Sequence, residues 1–227
     1  LILAEKLIHI EQTEFSKTFD VLIQSGSAFA VLVLWGYKLL QKKELFVRVL
    51  VAFLPTAIIG LALHNFVKTY LYENTNIIIG AMAIGGVVML LIDRKAPVAT
   101  QELKTVTYKQ AVRIGLPQSL ALVPGISRSA ASICGAMLLG LGRGQAIEFS
   151  FLLAIPTLLA ASALDLYKAF PTLSASNISL LATGFLAAFV SSIVVMLWLL
   201  KFVTKHNFTP FAVYRIVAAG LLAMLLL

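Results

Sequence analysis

Six long apolar runs, joined by short polar connections, are the feature that most constrains how this chain folds. They cover about 17–40, 45–66, 76–92, 145–167, 177–202 and 211–227. Each run is close to the roughly 20 residues that a helix needs to cross a bilayer. Barrel strands are shorter and alternate in polarity, whereas these runs do not. We therefore predict an all-α, polytopic integral membrane protein with about six full spans.

The composition agrees with a surface that faces lipid. Of the 227 residues, 60% are hydrophobic and 12% are charged, whereas a soluble domain has roughly 45–50% and roughly 25%. The net charge of +8 would suggest a nucleic-acid partner in a soluble protein. Here the charges lie between the apolar runs, so we expect contact with membrane lipid and none with nucleic acid. The single cysteine, Cys134, excludes an internal disulfide.

Two shorter apolar arms, at about 108–123 and 129–141, interrupt this series and are separated by Pro124-Gly125. Each arm is too short or too broken to cross the membrane comfortably. They predict a re-entrant helix–loop–helix over about 108–141, which enters and leaves on one side. Non-helical backbone at membrane depth is tolerated only where protein buries it or where it lines a wet cavity. The break therefore predicts a cavity.

The basic residues support a re-entrant segment. If the segment does not cross, most of the 18 Lys and Arg residues fall on one side, which the positive-inside rule places in the cytoplasm. On this topology 12 Lys and Arg residues, including Lys95, lie on one side of the membrane. Only four, including Lys6, lie on the other side. If the segment crossed, Lys201 and Lys205 would lie outside. We expect one membrane domain, 1–227, with its site opening to the outer, periplasmic face.

A polar stretch at the break carries the candidate chemistry: Pro124, Gly125, Ser127, Arg128, Ser129 and Ser132. Pro124 and Gly125 turn the chain, and Ser127 is placed to cap the next helix. The free N–H groups of that helix start, the fork of donors on Arg128 and the nearby hydroxyls form a phosphate cradle. The alternative is that Ser127 only caps the helix and Arg128 reaches a lipid headgroup.

The segment Val123-Pro-Gly-Ile-Ser-Arg-Ser129 resembles the signature of the undecaprenyl-diphosphate phosphatases, the bacitracin-resistance proteins. Four further segments resemble the family in the same order along the chain: 19–27, 148–156, 163–168 and 210–215. The resemblance implies a bacterial inner-membrane enzyme with inverted repeats. Such an enzyme hydrolyses undecaprenyl diphosphate to undecaprenyl phosphate and inorganic phosphate, which recycles the cell-wall carrier lipid and confers bacitracin resistance.

On this resemblance, Arg128, Ser127 and Ser129 are the candidate catalytic residues. The candidate substrate-binding residues are Pro124, Gly125, Ser132, Glu148 and Arg215. Glu148 has a second interpretation, as the ion-pair partner of Arg128 or Arg143. Arg215 is either a side chain that snorkels to the cytoplasmic surface, the simpler interpretation, or a contact of the site.

The sequence departs from the family at its start, because it lacks the acidic Glu-x-x-x-Glu motif and the Ser-Ser-x-Gly-His segment. We therefore expect an N-terminally truncated chain that binds diphosphate weakly and does not turn it over. A divalent cation, Mg²⁺ or Ca²⁺, is expected with its ligands in the missing segment. Ala130 and Ser132 stand where Gly and Thr are usual, and Ser132 keeps the hydroxyl.

Two other functions are alternatives to hydrolysis: transport and a purely structural role. Broken helices and inverted repeats are also typical of transporters, whose half-helix N-termini face anionic substrates. A transporter or flippase of a lipid phosphate or small anion is the alternative, and it predicts flux without bond cleavage. A purely structural subunit leaves Ser-Arg-Ser at a helix break unexplained. The expected partners are the polyprenyl diphosphate lipid, membrane lipid and a second copy in a homodimer.

Overall fold

The computed structural model is helical, and its helices follow the apolar runs of the sequence. It describes residues 3, 7, 9, 13–72, 74–94, 102–169 and 175–227. From residue 13 onward the α-helices are α1 Glu14–Gln41, α2 Lys43–Phe66, α3 Thr75–Arg94, α4 Tyr108–Ser119, α5 Arg128–Leu138, α6 Arg143–Ala169, α7 Ala175–Lys205 and α8 Thr209–Leu226. Among these described residues there is no β-strand.

Six of these helices are long and apolar enough to cross a membrane: α1, α2, α3, α6, α7 and α8. The predicted limits differ from the observed ones by a few residues, as in the run at 45–66, which forms Lys43–Phe66. The prediction of an all-α, multi-pass membrane protein is confirmed, while the inverted repeat stays a prediction. Lys6 and Lys95, used in the charge argument, lie outside the described residues.

Local polar contacts explain where several helices begin. The Thr13 hydroxyl accepts a hydrogen bond from the Ser16 N–H at 3.1 Å and caps α1. At α4, Thr107 and Gln110 form a reciprocal capping box: the Thr107 hydroxyl accepts the Gln110 N–H, and the Gln110 side chain accepts the Thr107 N–H. Such caps satisfy N–H groups that a helix leaves unpaired in its first turn.

The chain folds as two compact units, which are described separately. The first comprises residues 1–43 and 151–199. Its core includes the fully buried Ala28 beside Ala154 and Leu158. Within this unit the hydroxyls of Ser27 and Ser192 are 2.7 Å apart, which joins α1 to α7 by a hydrogen bond in an otherwise apolar contact. An interhelical hydrogen bond satisfies polar groups that lipid cannot.

The second unit comprises residues 44–150 and 200–227 and contains the polar stretch. Here α4 and α5 form a broken hairpin that packs against α3 and α2. Close approach depends on small residues: a Cβ on Gly115 would meet the backbone of Ala52, and one on Gly86 would lie 3.0 Å from the Ala212 carbonyl oxygen. These glycines let α4 approach α2 and let α3 approach α8.

Candidate anion-binding site

The broken hairpin places its polar residues at the turn between its two arms. The first arm, α4, carries Pro117 in its last turn and continues as a short 3₁₀ helix, Leu120–Leu122. Proline removes a backbone donor and clashes with the preceding turn, so it favours the end of the helix here. The chain turns at Pro124-Gly125, and the second arm begins at Arg128. The predicted break at Pro124-Gly125 is confirmed.

Gly125 fixes the path of this turn. Its φ is +101°, in the left-handed region that favours glycine. A Cβ at this position would also collide with the carbonyl oxygen of Ile78 on α3. Both conditions require a residue without a side chain, so the turn lies tightly against α3.

Ser127 forms the start of α5, as the sequence predicts. Its hydroxyl accepts a hydrogen bond from the Ala130 N–H at 3.3 Å, and its carbonyl accepts one from the Ala131 N–H at 3.0 Å. Its φ of +72° is unusual for a residue with a side chain, and it aims the chain into the helix. The N–H groups of Arg128 and Ser129 belong to the first turn, where a helix supplies no internal partner. Together with the positive end of the helix macrodipole, they favour an anion.

The guanidinium of Arg128 is held loosely at this helix start. Nη1 donates to the carbonyl oxygen of Ser150 on α6, and Nη2 donates to the hydroxyl of Ser129, both at 3.4 Å. These distances exceed the usual 2.7–3.2 Å range for such bonds. The residue is half-buried. Its donors are therefore placed beside the free N–H groups without being committed to strong protein contacts.

Ser132 lies behind the helix start and connects it to α6. Its hydroxyl is 2.7 Å from that of Ser150, and both side chains are completely buried. It also donates to the Arg128 carbonyl at 3.0 Å. These contacts give Ser132 a role in holding α5 against α6, and its predicted contact with substrate stays a prediction. Ser150 was not singled out in the sequence because its partner is 18 residues away on another helix.

Arg215 on α8 contacts the turn from the other side. Its Nη2 donates to the carbonyl oxygens of Gly125 at 2.7 Å and Ile126 at 3.0 Å, and to that of Met82 at 3.3 Å. Three carbonyl acceptors surround one nitrogen. The guanidinium thus points at the turn instead of snorkelling to the surface, which was the simpler interpretation of the sequence.

Arg143, at the start of α6, has an ion-pair partner that the sequence analysis did not single out, since its Nε lies 2.7 Å from a carboxylate oxygen of Asp93. The pairing of Glu148 with Arg128 or Arg143 stays a prediction. Glu148 is half-buried on α6, two residues before Ser150. Asp93 was missed because its partner is 50 residues further along the chain and no local pattern links the two.

No group of three or more His, Cys, Asp or Glu side chains that could hold a metal ion occurs in the part of the chain that the structure describes. The residues at the turn are hydroxyls, backbone N–H groups and an arginine, which suit an anion. Metal ions of the Mg²⁺ type are held by carboxylate oxygens. The described site therefore does not fit a metal by itself.

An apolar cavity of about 660 Å³ adjoins the turn. It lies between α3 and the hairpin, and the residues that line it include Ile77, Ile84, Val88, Leu120, Ile126 and Leu138. The sequence predicts a cavity at the break, and the observed one adjoins it. The observed lining is almost entirely apolar, so an acyl or isoprenoid chain suits it better than water.

Comparison with known proteins identifies the fold family. A family model described as bacitracin resistance protein BacA matches residues 1–221. Curated relatives named undecaprenyl-diphosphatase align over nearly the whole chain. The protein of Wolinella succinogenes is 40% identical over 220 residues, which are 96% of this chain and 85% of the relative.

Two further relatives with the same name come from other bacteria. The protein of Sinorhizobium fredii is 46% identical over 221 residues, which cover 91% of this chain and 82% of the relative. The protein of Thermus thermophilus is 43% identical over 220 residues, which cover 96% of this chain and 84% of the relative. The resemblance inferred from Val123–Ser129 and the four other segments is confirmed.

Proposed function

Since the chain belongs to the bacitracin resistance protein BacA family, we propose that its function is the hydrolysis of undecaprenyl diphosphate to undecaprenyl phosphate and inorganic phosphate. The lack of turnover expected for this exact sequence stays a prediction, which the phosphate assay below tests. In this reaction the anhydride P–O bond breaks, and the oxygen of a water molecule ends in the released phosphate. The relatives named above carry the name undecaprenyl-diphosphatase. The reaction returns the carrier lipid for cell-wall synthesis and confers bacitracin resistance.

One observation carries the proposal. The Arg128 side chain lies beside the backbone N–H groups of Arg128 and Ser129, at a helix break inside a membrane protein. A diphosphate has several negative oxygens, and its hydrolysis depends chiefly on positioning and charge stabilisation. The guanidinium fork matches phosphate oxygens. Arg128 and the N–H groups of Arg128 and Ser129 bind the diphosphate oxygens, and developing charge on them is stabilised in place.

Ser127 and Ser129 supply the two hydroxyls closest to this cradle in sequence. Ser127 already accepts the Ala130 N–H, and Ser129 accepts a weak bond from Arg128. Each hydroxyl retains its own proton to donate to a phosphate oxygen. We propose that both orient the diphosphate, and that either one acting as nucleophile would require a base from beyond their own contacts. Pro124 and Gly125 shape the turn, and Ser132 and Arg215 hold it.

The apolar cavity beside Ile126 supports a lipid as the substrate. Its lining would contact the part of the isoprenoid chain nearest the diphosphate, while Arg128 holds the head. An isoprenoid chain can enter this cavity from the surrounding lipid without exposure to water, and packing against the lining then contributes to its binding. A small, fully polar diphosphate would leave the apolar lining without a partner.

The hairpin enters and leaves on one side in our proposal. Its arms have 12 and 11 helical residues, about 18 Å and 16 Å at 1.5 Å per residue, against roughly 30 Å of hydrocarbon. With the basic connections in the cytoplasm, the turn faces the periplasm. The protein thus acts in the bacterial inner membrane, with its site open to the outer face.

The proposal also includes a divalent cation and a second copy of the chain. Mg²⁺ or Ca²⁺ would add positive charge at the diphosphate, although the described residues offer no cluster of His, Cys, Asp or Glu side chains to hold it. A homodimer is compatible with the many apolar side chains at the lipid-facing surface.

Phosphate release is the decisive measurement. The full-length protein in detergent receives a polyprenyl diphosphate and divalent cation, and inorganic phosphate is measured over time. Arg128→Ala should lower the rate about 10²- to 10³-fold, as expected when a positioned charge donor is lost. Arg113→Ala removes an exposed arginine of the same hairpin and serves as the control, with a rate close to that of the unchanged protein.

Transport is the competing function, because a helix start at a membrane break also suits an anion carrier. Reconstituted vesicles distinguish the two. Movement of a lipid phosphate across the bilayer, with no phosphate released by the folded protein, would reject hydrolysis and favour a flippase.

A further inference from the structure

Asp93, near the end of α3, is a buried carboxylate that joins three helices of the second unit. Only 3% of the residue is exposed. One carboxylate oxygen accepts the Arg143 Nε–H at 2.7 Å, and the Arg143 Nη2 donates to the Asp93 carbonyl at 3.1 Å. The other carboxylate oxygen accepts the Phe208 N–H at 2.7 Å and the Thr209 hydroxyl at 3.4 Å. The first set holds the start of α6, and the second holds the start of α8.

The charges explain why these groups meet. A buried carboxylate is costly unless it is paired and hydrogen-bonded. Arg143 alone would be unfavourable as the first residue of α6, because a helix start already carries partial positive charge. Asp93 offsets that repulsion. It also caps α8 from outside, since Phe208, the residue that precedes the helix, has no capping side-chain bond of its own.

Both anchored helices carry a contact of the candidate site. Ser150 lies two turns beyond Arg143 on α6; its carbonyl accepts a hydrogen bond from Arg128, and its hydroxyl shares a hydrogen bond with that of Ser132. Arg215 lies fewer than two turns beyond Thr209 on α8, and it holds the Gly125 and Ile126 carbonyls. A helix is stiff over two turns. The bonds to Asp93 fix where α6 and α8 begin, and they therefore also fix where Ser150 and Arg215 lie along those helices.

We propose that Asp93 is a positioning residue for the Arg128 helix start, acting through Arg143 and Ser150 on one side and through Phe208 and Arg215 on the other. This inference rests on the proposed phosphatase function for its kinetic consequences. Its structural consequence, the ordering of the turn at 124–130, is independent of any reaction. The two can therefore be measured separately.

The first test is kinetic, with Asp93→Asn in the full-length protein. The amide keeps the shape but has one donor group, which faces either Arg143 or the Phe208 N–H and loses that bond. A displacement of about 1 Å at a catalytic charge costs on the order of 10²-fold. We expect kcat for polyprenyl diphosphate to fall ten- to hundredfold and KM to change less than about threefold, because the isoprenoid contacts remain.

Two variants make the result specific. Asp93→Glu keeps the carboxylate and should recover at least a third of the original kcat. Glu102→Gln removes the exposed ion pair with Lys104, at 2.8 Å just before α4, and should leave kcat unchanged. Equal losses of kcat in Asp93→Asn and Glu102→Gln would overturn the proposal, since any lost ion pair near the hairpin would then have the same effect.

The second test is amide hydrogen exchange, which needs no turnover. In Asp93→Asn, exchange should accelerate at 124–132 and at 208–215, while residues 175–199 of the other unit keep their rates. If the unchanged protein releases no phosphate but this pattern appears, the proposed function fails and the positioning role stands. Unaltered exchange at 124–132 would overturn the positioning role. If Asp93→Asn does not fold, Arg143→Lys is measured in the same way, and exchange at 124–132 equal to that of the unchanged protein overturns the proposal.

Discussion

Arg128 and Arg215 approach the same turn from its two faces, yet their surroundings differ. Arg128 has two bonds of 3.4 Å, to Ser150 and Ser129. Arg215 directs one nitrogen at three backbone carbonyls, with the shortest distance at 2.7 Å. The first guanidinium makes only these long contacts and lies beside the N–H groups of Arg128 and Ser129 at the start of α5. The second holds the loop through that nitrogen, while its buried Nε has no hydrogen-bond partner in the described part of the structure.

The difference teaches how a buried arginine is to be interpreted. A charge at membrane depth is costly, and that cost alone suggests function. The hydrogen bonds then distinguish the Arg128 guanidinium, whose bonds to the protein are long, from that of Arg215, whose Nη2 has short bonds to carbonyl oxygens. On this basis we propose that Arg128 binds the substrate and that Arg215 chiefly holds the turn, while the predicted contact of Arg215 with substrate stays a prediction.

The largest expected contrast comes from conservative substitutions at the two arginines. Arg128→Lys retains the charge but loses the planar fork that matches phosphate. We expect kcat/KM for phosphate release to fall about ten- to hundredfold, with the unfolding temperature in detergent unchanged. A rate near that of the unchanged protein would mean that a positive charge alone is enough at this position. The planar shape of the Arg128 guanidinium would then not explain its role.

Arg215→Lys should have the opposite profile. The lysine side chain is shorter than that of arginine, so its ammonium would not reach all three carbonyls, and the free energy of unfolding should fall by about 1–3 kcal/mol, the usual cost of buried groups left unpaired. Phosphate release should fall less than in Arg128→Lys. Thermal unfolding and the phosphate assay on the same preparation check both statements. A stable protein with no activity would place Arg215 in contact with substrate.

The smallest effect is expected at Ser132. Its hydroxyl bonds Ser150 and the Arg128 carbonyl and is fully buried. Ser132→Ala should reduce stability by about 1 kcal/mol and change the rate of phosphate release by less than about threefold. Thermal unfolding and the phosphate assay report the two quantities. A rate loss comparable with that of Arg128→Ala would instead support the direct substrate contact that the sequence predicts for Ser132.

Much of the fold could be predicted because its determinants are local. Apolar runs of membrane length predict the spans, Pro124-Gly125 predicts the break, and Ser127 is a capping residue at a helix start. The structure places α5 at Arg128–Leu138, close to the predicted arm at 129–141. Each of these features depends on neighbours within a few residues.

The supporting contacts could not be predicted in this way. Asp93 bonds to Phe208 across 115 residues, and Arg215 bonds to Gly125 across 90. Neither partner has a pattern that points to the other, and Asp93 lies just outside the third apolar run, 76–92, which is all that the sequence indicates about it. Such pairs are determined by helix packing, which depends on small residues such as Gly86 between α3 and α8.

The bond from Arg215 to the turn also has a consequence for biogenesis. The chain leaves the ribosome in order, so the broken hairpin is synthesised well before α8. Until α8 enters the membrane, the carbonyls of Gly125 and Ile126 lack the donor that they have in the folded protein. An unpaired carbonyl in hydrocarbon is unfavourable, so we expect the turn to stay near water or the translocon until α8 is in place. The turn that precedes Arg128 should therefore reach its final conformation late, when α8 packs against α3.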